Sequence, residues 1–198
     1  GITGFVSYGL MNSVLYNCEG SYNTWKDGID VRWHSGNKFT NSSYNTLRGF
    51  TSIDNNSPGI WWDISNLDNK IDGFIVDGAL FVGVMLEHHS LGSAPGKAVL
   101  ANGIIRETRK LDGWGSGLQI QSGVKNWLIK NLIIEHNADG AVYYKKSEKR
   151  GKSGYNTFDN ITYTDNGNNN RWAVQGNMNE QPDTYVNMDK PNFKNWVL

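Results

Sequence analysis

The sequence repeats a short unit in which a glycine is followed by residues that alternate between apolar and unrestricted types. Clear copies begin at Gly28, Gly59, Gly83, Gly117 and Gly140, and a degenerate copy spans 172–175. The five glycines are 31, 24, 34 and 23 residues apart. Because successive side chains of a strand point to opposite faces, each copy predicts one short β-strand. A unit that recurs at such intervals predicts a repeat protein.

A second alternating unit lies between the copies of the first. It begins at Gly49, Gly73, Asn102, Asn131 and Asn160. Glycine and asparagine tolerate the left-handed backbone conformation, and stacked asparagines can bond to one another. We therefore expect these residues at corners of the chain, in keeping with its 23 glycines and 25 asparagines.

The copies of the first unit, aligned on their glycines, give two apolar columns. The columns are Ile29, Ile60, Val84, Leu118, Ala141 and Val31, Trp62, Leu86, Ile120, Tyr143. A solenoid keeps one register from coil to coil because each coil stacks on its neighbours, whereas an antiparallel sandwich does not. We predict an all-β parallel β-helix of about six or seven coils. Residues 1–198 would form one domain, with repeats over about 10–176 and a C-terminal cap or tail over 177–198.

Composition excludes several classes of protein. Nineteen basic and nineteen acidic residues give no electrostatic case for nucleic acid, and no apolar run is long enough for a membrane span. One cysteine, Cys18, cannot form an internal disulfide, and one cysteine with four histidines does not give the ligand pattern of a cysteine–histidine zinc cluster. The chain begins at Gly1, and no amphipathic helix precedes the first repeat. We expect a processed form or part of a longer chain, with a further segment or a partner chain capping the solenoid.

Residues between the apolar columns should face outward and form rows across coils about 4.8 Å apart. Arg32, Asp63 and Glu87 would form one such row. The expected flanking residues are Asp30, His34, Trp61 and His89. Further substrate-binding residues are expected at Gln119, Gln121, Tyr144 and, in a loop insertion, Trp114.

Three interpretations of this row stay open. Two carboxylates about 5 Å apart suit a retaining glycosidase. Asp63 and Glu87, with Asp30, could instead bind Ca²⁺ and assist β-elimination from a uronate. Finally, the row could be a salt bridge between coils, with Arg32 neutralising Asp63.

The repeat resembles a known superfamily. Asparagine-punctuated apolar units followed by the segment 59–64, Gly-Ile-Trp-Trp-Asp-Ile, are similar to the right-handed parallel β-helix repeats of pectate-lyase-like proteins. The resemblance covers about residues 10–176. It implies a right-handed solenoid and a carbohydrate ligand, in a superfamily that includes lyases, glycoside hydrolases, epimerases, phage tailspikes and adhesins.

A local resemblance favours elimination. The segment 27–37, from Asp27 through Arg32 to Gly36-Asn37, is similar to a motif of family 9 pectate lyases. In that family a lysine is the base, and it corresponds to Arg32 here. The family also binds calcium through aspartates on neighbouring coils, which implies Ca²⁺ as a cofactor.

The favoured function is cleavage of an acidic polysaccharide by calcium-assisted β-elimination in a secreted or surface-exposed protein. Arg32 would act as base or charge stabiliser, with His34 or His89 assisting proton transfer. Asp63, Glu87 and Asp30 would bind the metal, and Trp61 would stack on sugar. The alternatives are a glycoside hydrolase that uses Asp63 and Glu87, or a non-catalytic tailspike or adhesin module, for which a homotrimer would be expected.

Overall fold

A computed structural model describes residues 4–23, 36–111, 114–121, 123–145, 153–167, 172–175, 183–188 and 193–195. In chain order its strands are β1 (Phe5–Tyr8), β2 (Val14–Tyr16), β3 (Asn37–Thr40), β4 (Thr46–Ile53), β5 (Ile60–Asp63), β6 (Asn66–Leu67), β7 (Lys70–Asp77), β8 (Val82–Leu86), β9 (Ser90–Leu91), β10 (Ala98–Arg106), β11 (Ser116–Gln121), β12 (Trp127–Glu135), β13 (Gly140–Lys145), β14 (Thr157–Thr164), β15 (Trp172–Gln175), β16 (Thr184–Val186) and β17 (Phe193–Asn195).

The strands form two large parallel sheets and one small one. The eight-stranded sheet has the order β1-β3-β5-β8-β11-β13-β15-β17, and the seven-stranded sheet has the order β16-β14-β12-β10-β7-β4-β2. Strands β6 and β9 form a two-stranded sheet. The chain therefore passes from one large sheet to the other and back, and each passage adds one strand to each. An all-β fold built from parallel sheets, as predicted, is confirmed.

The glycines of the first unit mark a close approach between the two large sheets. Gly59 and Gly83 precede Ile60 and Val84, which pair with each other across the eight-stranded sheet. A Cβ atom on Gly59 would lie 2.5 Å from the Cγ1 atom of Val76 in the seven-stranded sheet. The recurring glycine is thus required by packing: a side chain there would collide with the opposite sheet.

The residues that begin the second unit lie at a bend in the long strands, as expected. Gly49, Gly73, Asn102, Asn131 and Asn160 have φ angles of 65°, 70°, 56°, 52° and 53°. The asparagines form a ladder, in which Asn131 donates to Asn102 at 2.9 Å and Asn160 donates to Asn131 at 3.1 Å. The left-handed conformation and the ladder explain why only glycine and asparagine occur at this position.

The strand that neighbours β5 differs from the prediction. Lys38 pairs with Trp61 and Thr40 pairs with Asp63, while β8 lies on the other side of β5. The prediction that Asp30 and Arg32 occupy these register positions is therefore wrong. Gly36, not Gly28, precedes the paired strand, and a buried asparagine, Asn37, stands where the other copies have an apolar residue.

One copy is shifted by a single residue. Leu118 pairs with Val142 rather than Ala141, because β13 begins at its glycine whereas β11 begins one residue before Gly117. A shift of one residue moves each side chain of the strand to the other face. Tyr144 therefore packs in the main core and Tyr143 lies on the outward face, the reverse of the prediction.

The core lies between the two large sheets. Aromatic rings stack along it, with Phe5 5.6 Å from Phe39 and Phe39 4.4 Å from Trp62, measured between ring centres. Within 177–198, where a cap or tail was expected, β16 and β17 extend the two sheets by one strand each. Among the described residues, no helix is long and apolar enough to cross a membrane.

The asparagine ladder gives a stability prediction. Replacing Asn131 with alanine removes two hydrogen bonds of the ladder. Alanine also adopts the left-handed conformation, here φ 52°, less readily than asparagine does. We expect a loss of about 1–2 kcal/mol in the free energy of unfolding. Asn131→Gly removes the same bonds but tolerates the conformation, so it should cost less. Urea denaturation measures both, and equal losses would contradict the role of the backbone conformation.

Candidate functional site

Asp63 and Glu87 lie side by side on the outward face of the eight-stranded sheet. Asp63 follows Trp62 and Glu87 follows Leu86, and Trp62 and Leu86 are register partners. The Glu87 amide donates to the Trp62 carbonyl at 2.9 Å, which extends the pairing by one position. Asp63 and Glu87 are 6% and 4% exposed. The sequence-based expectation that these two carboxylates are neighbours on adjacent strands is met.

The imidazole of His88 bridges the two carboxylates. Its Nε2 atom lies 3.0 Å from Glu87 Oε1, and its Nδ1 atom lies 3.5 Å from Asp63 Oδ1. His88 and His89 both have left-handed backbone, with φ of 39° and 62°, which interrupts the alternation of faces at the end of the strand. The sequence predicted His89, which is exposed, as the histidine of the site, because strict alternation of faces would direct His88 inward.

Lys38 completes the group and was not predicted. Its Nζ atom lies 2.8 Å from Asp63 Oδ2 and 3.5 Å from the centre of the Trp61 ring. The ammonium therefore contributes both an ion pair and a cation–π contact. The signal that could have revealed it is Gly36, which stands in the same place before β3 as Gly59 does before β5.

Two opposing effects act on the pKa of Asp63. Burial is the largest and by itself raises the pKa, whereas the hydrogen bonds from His88 and Lys38, together with their positive charge, lower it. The favourable interactions prevail, so the pKa of Asp63 lies below its ordinary value. This carboxylate is therefore ionised at neutral pH.

An insertion covers part of the outward face. Asp77 and Arg106 are paired 29 positions apart, but Val82 and Ser116 are paired 34 apart, so the connection at 107–115 is five residues longer than the one at 78–81. Leu111 and Trp114, at the ends of this insertion, exchange backbone hydrogen bonds of 2.7 and 2.9 Å.

The covered residues form a second apolar cluster. It contains Trp61, Phe81, Val82 and Met85, against which Leu111 and Trp114 pack. Trp61 is 2% exposed, so the prediction that it forms an exposed stacking platform is wrong. Trp114 lies in this longer connection and is half-buried. Its role in substrate binding stays a prediction.

Several polar atoms on this face are buried and form no hydrogen bond within the part of the chain that the structure describes. They are Glu87 Oε2, Trp61 Nε1 and both amide atoms of Gln119. Gln119 is fully buried and lies between Met85 and Tyr143 in register. Buried polar groups are nearly always satisfied, so four such atoms on one face indicate a place where a bound polar molecule would find partners.

The remaining predicted residues divide into three groups. Gln121 is buried and continues the row of Asp63 and Glu87, since Ile120 pairs with Leu86. Tyr144 is directed inward, where its hydroxyl lies 2.5 Å from Asp183 Oδ2, so its predicted place on the substrate-facing surface is wrong. Asp30, Arg32 and His34 lie outside the described residues.

Asp63, Glu87 and His88 have the composition of a metal site. Each offers one ligand atom, and the three atoms lie within 4.8 Å of one another. Ca²⁺ prefers six to eight oxygen ligands. Here the described residues offer only three donors, and one of them is a nitrogen. The described residues therefore do not fit the predicted calcium ion.

Comparison with protein-family models, with curated proteins and with solved structures gives no match.

The lowered pKa of Asp63 predicts a pH dependence of stability. An ionised carboxylate that is stabilised in the folded state contributes stability above its ordinary pKa of 3.8, and that contribution is lost as the pH falls through the lower folded value. Asp63→Asn should lose this contribution, so its melting temperature should fall less steeply than that of the wild type below about pH 4. Thermal unfolding followed by circular dichroism from pH 7 to pH 2 measures both slopes, and parallel curves would contradict the assignment.

Proposed function

We propose that this protein is a right-handed parallel β-helix that binds and cleaves a polysaccharide on the outward face of its eight-stranded sheet. Seven strands in one sheet and eight in the other are compatible with about seven coils. Proteins that act on extracellular polysaccharides meet their substrate outside the cell, so the proposal includes secretion or surface exposure.

The observation that carries the proposal is the collection of unmatched polar atoms beside two carboxylates and aromatic rings. Glu87 Oε2, Trp61 Nε1 and the amide of Gln119 can each bond a hydroxyl group of a sugar. Aromatic rings provide apolar surface for the faces of sugar rings. Ligand sites generally combine such apolar walls with a few convergent polar groups.

Hydrolysis is the reaction for which the described residues supply each required group. Asp63, ionised because its pKa is lowered, would attack the anomeric carbon as the bond to the leaving oxygen breaks. Glu87 would give its proton to that oxygen from Oε2, the atom that accepts no hydrogen bond. Glu87 would then remove a proton from the water that hydrolyses the Asp63 ester. The close approach of the two carboxylates suits a retaining rather than an inverting enzyme.

β-Elimination from an acidic polysaccharide is the second candidate, and Lys38 and His88 favour it. An ammonium group can neutralise the carboxylate of a uronate, which makes the adjacent C–H more acidic, and a neutral imidazole can remove that proton. The C=C bond would form as the bond to the leaving oxygen breaks, and the imidazolium would return the proton to that oxygen. This candidate does not use Ca²⁺, because the described donors do not fit that ion. Lys38 and Thr40 hold the register positions that were predicted for Asp30 and Arg32, so this candidate assigns its chemistry to Lys38 and His88.

The exposure of the side chains in the group indicates the side from which a substrate would approach. Within the group, the side chains of Lys38 and His88 are 20% and 15% exposed, more than those of the two acids. A sugar chain would approach from these two residues. Contact with Trp61 and Gln119 would require Leu111 and Trp114 to move away from the apolar cluster.

Product analysis tests the proposal. Purified protein is incubated with a panel of neutral and acidic polysaccharides, and both reducing ends and ultraviolet absorbance are followed. Reducing ends without absorbance would indicate hydrolysis, and absorbance from an unsaturated uronate would indicate elimination. Glu87→Gln preserves shape but removes the transferable proton, so it should lower the rate by about 10²–10⁴-fold.

Asp72→Asn is the matched control, because Asp72 is a carboxylate of the seven-stranded sheet that is paired with Arg48. This variant should retain wild-type activity. Full activity in Glu87→Gln would show that the site is elsewhere. Absence of product from all polymers of the panel, together with a stable trimer in solution, would replace the proposal with a non-catalytic tailspike or adhesin module.

A further inference from the structure

The group formed by Asp63, Glu87 and His88 has the donor atoms of a metal site as well as the acids that hydrolysis would need. Its composition is one imidazole nitrogen and two carboxylates, with ligand atoms within 4.8 Å of one another. Imidazole and carboxylate together bind Zn²⁺ and related first-row ions, and three protein ligands with an open position are usual for zinc sites that also bind water.

The two carboxylates each have an oxygen that is not held by Lys38 or by His88 Nε2. Lys38 contacts Asp63 through Oδ2, whereas Oδ1 has only the longer, 3.5 Å contact with His88 Nδ1 among the described ion pairs. Glu87 Oε2 is buried without a hydrogen bond in a side chain that is more than nine-tenths buried. A carboxylate oxygen in that position is costly unless a positive group or a donor reaches it.

The charge of the group also favours a cation. Asp63 and Glu87 are two neighbouring acidic groups, and Lys38 contacts only Asp63 among the described ion pairs. Glu87 contacts the imidazole alone among the described ion pairs. A divalent ion would satisfy Glu87 while replacing the weaker 3.5 Å contact between His88 and Asp63.

We propose that Asp63, Glu87 and His88 form a binding site for a first-row transition metal ion such as Zn²⁺, and not for Ca²⁺. The site goes beyond the proposed cleavage of polysaccharide. An ion there would occupy the oxygens that hydrolysis requires, so Zn²⁺ would inhibit that activity in competition with substrate.

Calorimetric titration of the full chain with Zn²⁺, after removal of metal with a chelator, tests the site. We expect one tightly bound equivalent, and no comparable binding of Ca²⁺ at the same concentrations. Cobalt(II) is a second probe, because its visible absorption reports nitrogen and oxygen ligands directly. His88→Gln and the shape-preserving Glu87→Gln should each weaken Zn²⁺ binding by at least about 10-fold.

His89→Gln is the matched control, since His89 is the adjacent histidine, has the same left-handed backbone and is exposed. It should bind Zn²⁺ as the wild type does. Lys38→Met removes a positive charge next to the ion and should strengthen binding, which a merely structural role of these residues would not produce.

Unchanged affinity in both His88→Gln and Glu87→Gln, or Ca²⁺ binding equal to that of Zn²⁺, would overturn the proposal. Binding is measured without substrate, so failure of the metal site leaves the polysaccharide proposal untouched. Conversely, zinc binding in a protein that cleaves no polymer would count against the proposed function alone.

Discussion

Parallel backbone pairing in a constant register is the interaction on which the rest of the structure depends. Within each large sheet, strands one passage apart pair residue by residue, as Ile60 does with Val84 and Phe50 does with Phe74. Side chains in equivalent positions are therefore placed in columns at the spacing of the strands. One column fills the core with rings and branched aliphatic groups, and the next places polar groups side by side on the outside.

That placement concentrates charge in a manner that isolated strands could not. Asp63 and Glu87 are 24 residues apart in sequence, yet they share one imidazole and are shielded from water. Two nearby buried carboxylates repel each other, and here Lys38 and His88 supply the compensation. The backbone at this point is also strained, because the β-branched Ile64 directly after Asp63 has a φ of 51°. Polar networks with strained neighbours are characteristic of functional positions, in agreement with the site proposed here.

The alternation of residue types in the sequence was sufficient to predict the strands, the corner positions and the adjacency of Asp63 and Glu87. It was insufficient where geometry departs from alternation. The position of His88 was not predicted because two successive left-handed residues rotate the chain. Lys38 was not predicted because Asn37 occupies a core position that is apolar in the other copies. The burial of Trp61 depends on Leu111 and Trp114, which come from an insertion whose path no periodic pattern specifies. Tyr144 was predicted on the outward face because alignment of the copies on their glycines does not reveal the one-residue shift of β13.

The equal spacing of the paired strands around β5 has a consequence for how such a protein can change. Thr46 pairs with Lys70, Ile60 with Val84 and Asn66 with Ser90, and each pair is separated by 24 positions. The connections of these two successive passages therefore have the same length, whereas Lys38 in β3 pairs with Trp61 at a separation of 23 positions. Duplication or loss of one 24-residue segment would leave each remaining side chain on its original face. The number of carboxylates in the outward row can thus grow or shrink in a single genetic event, while the architecture that supports them stays the same.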